Sequence, residues 1–251
     1  MTGKTIIVSG SAHGIGRAYS ERLAGEGANV ALLDIDAARN EEVAAGIRTA
    51  GGSALAIETD VRDFAAFKRA ADLAAERFGA VNGLVNNAGM LNVVPISRCN
   101  FEDIPDAEWD ESFLLNTKAA WYGCKAALPH LRAAGGGSIV NIASSTIFRG
   151  VATRAHYVAA KSALIGFTRT LARELGPHWI RVNVVCPGST LSEEDPDEST
   201  IAMREAPVKV RCLPRVQRPA DLVGAVAFLM SEDSAFMTGQ TMLVDGGSAF
   251  N

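Results

Sequence analysis

The segment Thr5–Glu26, TIIVSGSAHGIGRAYSERLAGE, constrains the fold most. A β-branched run short enough for one strand meets glycines at 10, 14 and 16, then a longer Ala- and Leu-bearing amphipathic stretch. A strand passing through a glycine-rich turn straight into a helix reads as the first half of a βαβ unit, whose next strand lies parallel to the first. The alternation recurs down the chain. Val/Ile/Leu-rich runs at Thr5–Ser9, Asn29–Asp34, Ala54–Glu58, Gly83–Asn86, Ser138–Ile142, Arg181–Val185 and Thr241–Val244 read as strands. The segments Ile15–Glu26, Ala38–Ala50, Phe64–Phe78, Asp106–Ala134, Ala155–Leu175 and Pro219–Met230 read as helices. The pattern predicts an α/β fold: a doubly wound, parallel, seven-stranded sheet with helices on both faces.

The turn itself, Ser9-Gly10-Ser11-Ala12-His13-Gly14-Ile15-Gly16, permits a close approach of backbone N–H groups to a pyrophosphate at a helix N-terminus. It implies a dinucleotide, because Asp34, at the end of the next strand, follows Gly16 by 18 residues, near the ~20 expected of an acid that bonds the adenine ribose. A carboxylate there repels a 2′-phosphate, so NAD is favoured over NADP, with Arg39 nearby as the residue arguing the other way. Asp60 and Val61 follow the third strand and Asn86-Asn87-Ala88-Gly89 the fourth, so by position both loops border the same cleft.

A second stretch carries chemistry. Tyr157 and Lys161 are four residues apart in HYVAAKSALIGFTRTLAREL and share one helical face, while Ser144 follows the strand GSIVNIA. Free tyrosine titrates near ~10, and a neighbouring cation lowers that value toward a useful base. A strand-end hydroxyl can hydrogen-bond a substrate oxygen.

Composition closes off other classes. The chain has 251 residues, 48% of them hydrophobic, consistent with one domain spanning 1–251. A net charge of −4 without a Lys/Arg block argues against nucleic acid and anionic membrane surfaces. The N-terminus runs directly into the first strand and turn, with neither a signal peptide nor a membrane span, so a cytoplasmic protein is expected. The four cysteines and four histidines have no ligand spacing, and no metal is assigned.

Taken together, the glycine motif (with Ser9 in place of the usual Thr), Asp60, the NNAG run at 86–89, Asn116, Ser144, Tyr157, Lys161, Pro187-Gly188 and the closing Val244-Asp245-Gly246-Gly247 resemble the single-domain, Rossmann-fold short-chain dehydrogenases/reductases, nearly end to end. The resemblance implies an oxidoreductase that interconverts a secondary alcohol and a ketone with NAD. In it Tyr157 is the general acid/base, Ser144 polarises the substrate oxygen and Asn116 positions a relay water. Lys161 lowers the Tyr157 pKa and bonds the nicotinamide ribose. Gly10, Ser11, His13, Gly14, Ile15, Gly16, Asp34, Asp60, Val61, Asn87, Ala88, Gly89, Tyr157, Lys161, Pro187, Gly188, Thr190 and Ser192 would hold the cofactor. The family likeness also implies a homotetramer assembled through the 106–134 and 155–175 helices.

Residues 189–218 resemble the family's variable substrate loop, whose acidic run from Glu193 to Glu198 reads as a solvated face. Met90, Leu91, Val93, Thr146, Ile147, Phe148 and Leu191 suggest an apolar substrate pocket. Against them stands Arg154, either a clamp for a substrate anion or an exposed arginine at the helix start; the apolar majority favours a neutral alcohol. Two other readings stay open. One is an NADPH-dependent 3-oxoacyl thioester reductase, which usually carries a basic residue near the glycine motif, as Arg17 is. The other is a catalytically silent dinucleotide-binding relative, in which one of Ser144, Tyr157 and Lys161 is expected to be replaced.

Overall fold

The computed structural model describes residues 1–89 and 97–250. Seven strands, Thr5–Ser9 (β1), Asn29–Asp34 (β2), Ser53–Glu58 (β3), Gly83–Asn86 (β4), Gly137–Ile142 (β5), Ile180–Pro187 (β6) and Thr241–Val244 (β7), form one sheet in the order β3-β2-β1-β4-β5-β6-β7. Every pairing is parallel. The order reverses between β1 and β4, which places a crevice beyond the carboxyl ends of those two strands.

The strands are apolar on both faces because helices cover both. Ile7, Leu84, Ile139 and Val182 pack with Gly14–Gly25's opposite layer, the helices Phe64–Phe78 (α3), Ala119–Ala133 (α5) and Ala155–Leu175 (α7). Ile6, Val8, Leu32, Val85 and Val140 pack with Gly14–Gly25 (α1), Ala37–Thr49 (α2) and Ala220–Met230 (α9). Each fully buried Leu or Ile contributes about 1.5–3 kcal/mol of transfer free energy. One polar line crosses this apolar interior: Asn86 Nδ2 donates to Asn141 Oδ1 at 2.9 Å, and Asn141 Nδ2 donates to Thr168 Oγ1 at 2.9 Å, joining β4, β5 and α7.

Two elements differ from the sequence expectation. The single helix expected over 106–134 is Asp106–Phe113 (α4), a π-helical segment Leu114–Lys118, and α5. The widened turn lies where the Asn116 side chain donates to the Ser112 carbonyl at 2.9 Å, the acceptor that the residue's own backbone N–H takes in a regular helix. The 189–218 loop contains a helix, Glu198–Glu205 (α8), capped by Asp197 accepting from Thr200 N at 2.7 Å, followed by a 3-10 turn at Ala206–Val210. A further short helix, Thr146–Arg149 (α6), follows β5.

Candidate active site

The glycine turn fills the crevice between β1 and β4. Gly10 has a φ of +67°, and a Cβ built on Gly16 would sit 1.9 Å from the Gly10 carbonyl oxygen, so no larger residue allows this turn to close onto α1. The fourth-strand loop holds it in place, with Asn87 Nδ2 donating to the Ser9 and Gly10 carbonyls at 3.0 Å each. Asp34 lies across the mouth of the turn. Its carboxylate accepts from Ala12 N at 2.9 Å and from Asp36 N at 3.0 Å, which holds it rigidly at the end of β2.

A cavity of about 330 Å³ runs from this turn to the end of β5. Gly10, His13, Gly14, Ile15, Gly16, Asp34, Asn87, Ala88, Gly89, Ser144, Tyr157, Lys161, Pro187, Gly188, Thr190 and Ser192 all line it. Four expected site residues do not. Ser11 is fully buried and donates to Asn40 Oδ1 at 2.8 Å, fastening the turn to α2. Asp60 is gripped by Arg62, which also reaches Glu111 at 3.0 Å, and Val61 is buried in the core cluster of α3. Asn116 lies behind the wall: its Oδ1 is buried without a partner, 3.0 Å from where a Cβ on Gly89 would be, with Lys161 Nζ 3.1 Å from the same point. An orphan acceptor beside an ammonium is a seat for a bridging donor such as water.

At the other end, the Ser144 hydroxyl oxygen accepts from Thr146 Oγ1 at 2.9 Å and from Thr146 N at 3.3 Å. Those bonds occupy its acceptor side and leave its proton to be donated into the cavity. Thr146 was named above only as a pocket border; its orienting contact requires the turn of α6. Lys161 Nζ donates to the Ile142 carbonyl at 2.8 Å, and burial lowers its pKa to about 8. Burial likewise raises the Tyr157 phenol, opposed by the Ser144 hydroxyl and by the Arg154 and Arg204 guanidiniums.

The apolar border also changes. Ile147 and Phe148 pack against the cluster of Ala120, Leu164 and Val184 instead of lining the cavity. Leu191 does not line it either, and Met90, Leu91 and Val93 lie outside the described residues. In their place Arg98, Arg149, Val151, Ala152, Thr153, Arg154, Met203, Arg204 and Pro207 complete the wall. The acidic run of the substrate loop is in part paired: Glu193 with Arg204, and Glu194 with Arg39 and with Arg17 at 2.8 Å. These contacts fasten the loop over the glycine turn, where a Cβ on Gly14 would meet Ser192 at 3.1 Å.

Among the described residues no group of three or more His, Cys, Asp or Glu side chains is placed to hold a metal, and no helix is long and apolar enough to cross a membrane. A family model described as enoyl-(acyl carrier protein) reductase matches residues 10–249. A protein assigned as a galactose dehydrogenase in Rhizobium meliloti (strain 1021) is 38% identical, over 96% of this chain and 93% of its own. The trans-4-hydroxycyclohexanecarboxylate dehydrogenase of Sinomonas cyclohexanicum is 36% identical, over 97% and 92%. The crystal structure of a dehydrogenase/reductase from Sinorhizobium meliloti 1021 superposes with a TM-score of 0.89 at 36% identity, covering 99% of this chain and 96% of that one. With the seven-stranded parallel sheet, the glycine turn and the Ser144, Tyr157 and Lys161 cluster in place, the chain belongs to the short-chain dehydrogenase/reductase family, whose members are oxidoreductases that use a nicotinamide dinucleotide.

Proposed function

We propose that the chain catalyses the NAD-dependent interconversion of a secondary alcohol and its ketone. One observation carries the reading: Ser144, Tyr157 and Lys161 share a cavity with the glycine turn and the Asp34 carboxylate. The residues fit a nicotinamide dinucleotide. The turn is pinned open to backbone approach, Asp34 offers a carboxylate to ribose hydroxyls, and the orphaned Asn116 Oδ1 sits beside Lys161. When bound, the cofactor supplies the hydride donor or acceptor.

The chain's own groups then handle the oxygen and its proton. Ser144, its acceptor side occupied by Thr146, donates to the substrate oxygen and holds it beside Tyr157. Tyr157 takes the alcohol proton in oxidation and returns it in reduction, and the neighbouring cations favour its anionic form against the cost of burial. Lys161 is buried with its Nζ on the Ile142 carbonyl and near the Asn116 oxygen, where it would hold a nicotinamide ribose and pass on that proton.

Asp34 supports NAD, and so do the carboxylates that already pair the nearby cations: Glu194 with both Arg17 and Arg39, Glu21 with Arg17 and Glu42 with Arg39. Those same arginines are what favours the second reading, an NADPH-dependent reductase of 3-oxoacyl thioesters. A cytoplasmic homotetramer completes the proposal, supported by the apolar groove of α4, α5 and α7 around Phe113, Leu114, Trp121 and Phe167, with Trp121 44% exposed. A titration following nicotinamide fluorescence, with a panel of secondary alcohols and ketones, tests the reading. Absence of dinucleotide binding, or of turnover on every member, refutes it.

A further inference from the structure

We infer that the catalytic end of the cavity is an anion subsite, in which Arg98, Arg154 and Arg204 bind the carboxylate of a hydroxy acid or of the matching oxo acid. The inference rests on the alcohol–ketone reading and narrows its substrate class. Three separate segments bring these side chains to one wall: the stretch before α4, the first position ahead of α7, and α8.

Their charges are poorly matched by protein. Among the described residues the Arg154 guanidinium has no hydrogen bond or ion pair, and the Arg98 guanidinium hydrogen-bonds only to the Met203 sulfur. Arg204 is 9% exposed and pairs with Glu193, yet its Nε is buried without a partner. Three guanidiniums against one carboxylate leave an excess of positive charge in this corner of a chain whose net charge is −4. The crowding is felt: the Arg154 guanidinium is held below the usual arginine range by burial first and then by Arg98. Partly buried, unpaired cations are costly unless an anion completes them. A carboxylate does so with two parallel N–H···O bonds to a guanidinium fork.

Position fixes where the anion belongs on the substrate. Arg154 and Arg204 line the same cavity of about 330 Å³ as Ser144 and Tyr157, so the carboxylate and the reacting carbon belong to one small molecule. Among the described residues Ile147 and Phe148 pack against the Ala120, Leu164 and Val184 cluster, so the three guanidiniums share this wall with Val151, Ala152, Met203 and Pro207.

Calorimetric titration of the purified enzyme with benzoate, benzamide, benzenesulfonate and inorganic phosphate tests this without needing turnover. The expected result is benzoate bound at least tenfold more tightly than benzamide. In Arg154→Met or Arg98→Met that benzoate affinity should fall roughly 30-fold or more, the order seen when one partner of a desolvated charge pair is truncated. Melting curves confirm that each variant folds. Equal affinities for benzoate and benzamide, or undiminished benzoate affinity in both variants, overturn the subsite, and tighter binding of phosphate or benzenesulfonate overturns its assignment to a carboxylate. In kinetics, 4-hydroxycyclohexanecarboxylate should be preferred over its primary amide, with the preference collapsing in Arg154→Met. Equal turnover of acid and amide by the wild type refutes the subsite and leaves the alcohol–ketone reading standing. Carboxylate binding without turnover of any alcohol or ketone supports the subsite and refutes that reading.

Discussion

Cofactor choice gives the sharpest test of the electrostatics. Asp34 is 9% exposed and fixed by Ala12 N and Asp36 N, so it cannot swing away from an incoming group. A 2′-phosphate replacing a ribose hydroxyl bonded to it would meet a fixed like charge, for which a separation of about 4 Å serves as the reference. At that distance a unit charge pair costs about 1 kcal/mol in bulk water and about 4 kcal/mol at the effective dielectric of a protein surface. Taking a value near 2–3 kcal/mol for this half-open crevice, wild-type kcat/KM should favour NAD over NADP by roughly 30- to 150-fold. Asp34→Ser should remove most of that preference. Adding Glu194→Gln removes the carboxylate that Arg17 and Arg39 share, each keeping its second partner, Glu21 and Glu42, and should improve NADP further while leaving NAD little changed. The serine variant leaves Ala12 N and Asp36 N without their acceptor, about 1–3 kcal/mol of stability, so melting temperature must be recorded beside the kinetics. Steady-state rates with both dinucleotides decide the matter. A wild-type preference for NADP, or a ratio that Asp34→Ser moves less than about threefold, refutes the charge argument.

Tyr157→Phe keeps the buried ring and removes the titrating hydroxyl, so turnover should fall by ~10² or more with an unchanged melting temperature. Lys161 has its pKa lowered to about 8 from 10.5 by burial, so the unfolded chain binds the extra proton between those values; the cofactor-free protein should gain stability as pH rises from 8 toward 10, by about 3 kcal/mol at most. Urea midpoints for wild type and Lys161→Met measure it, and the variant should be more stable at pH 7, nearly flat with pH, and inactive; a wild-type profile that does not rise sinks the assignment. Light scattering at micromolar concentration should report more than one chain per particle, with Trp121→Glu shifting the population to monomer, and a wild-type monomer would rule the assembly out.

The strands were legible because their cores are apolar and glycine or polar turns bound them; only their ends moved by a residue or two. The Ser144, Tyr157 and Lys161 set was legible because helix spacing and one strand end suffice to place it. Ser11 and Asp60 do not line the cavity because their side chains are engaged by Asn40 and Arg62, partners that sequence position alone does not reveal. The arginine wall was invisible in a different way: Arg98, Arg154 and Arg204 are far apart in the chain, and only the packed substrate loop brings them together. For α8 the signals were present, with Asp197 as cap and Arg204 in the last turn, but the charged composition masked them.

The buried polar line of Asn86, Asn141 and Thr168 acts as a ruler for the chemistry. Thr168 rides on the same helix as Tyr157, 11 residues and so about 16 Å away along the axis, and Thr117 Oγ1 clamps that helix again at the Ala160 carbonyl, 2.8 Å away. An apolar interface tolerates a small slide; an amide pair in a dry interior does not, because sliding leaves each polar group unmatched. One residue of slip in α7 would carry the phenol about 1.5 Å, a displacement of the size that costs a catalyst two orders of magnitude. The sheet interior therefore calibrates, at a distance, where the proton is handed over.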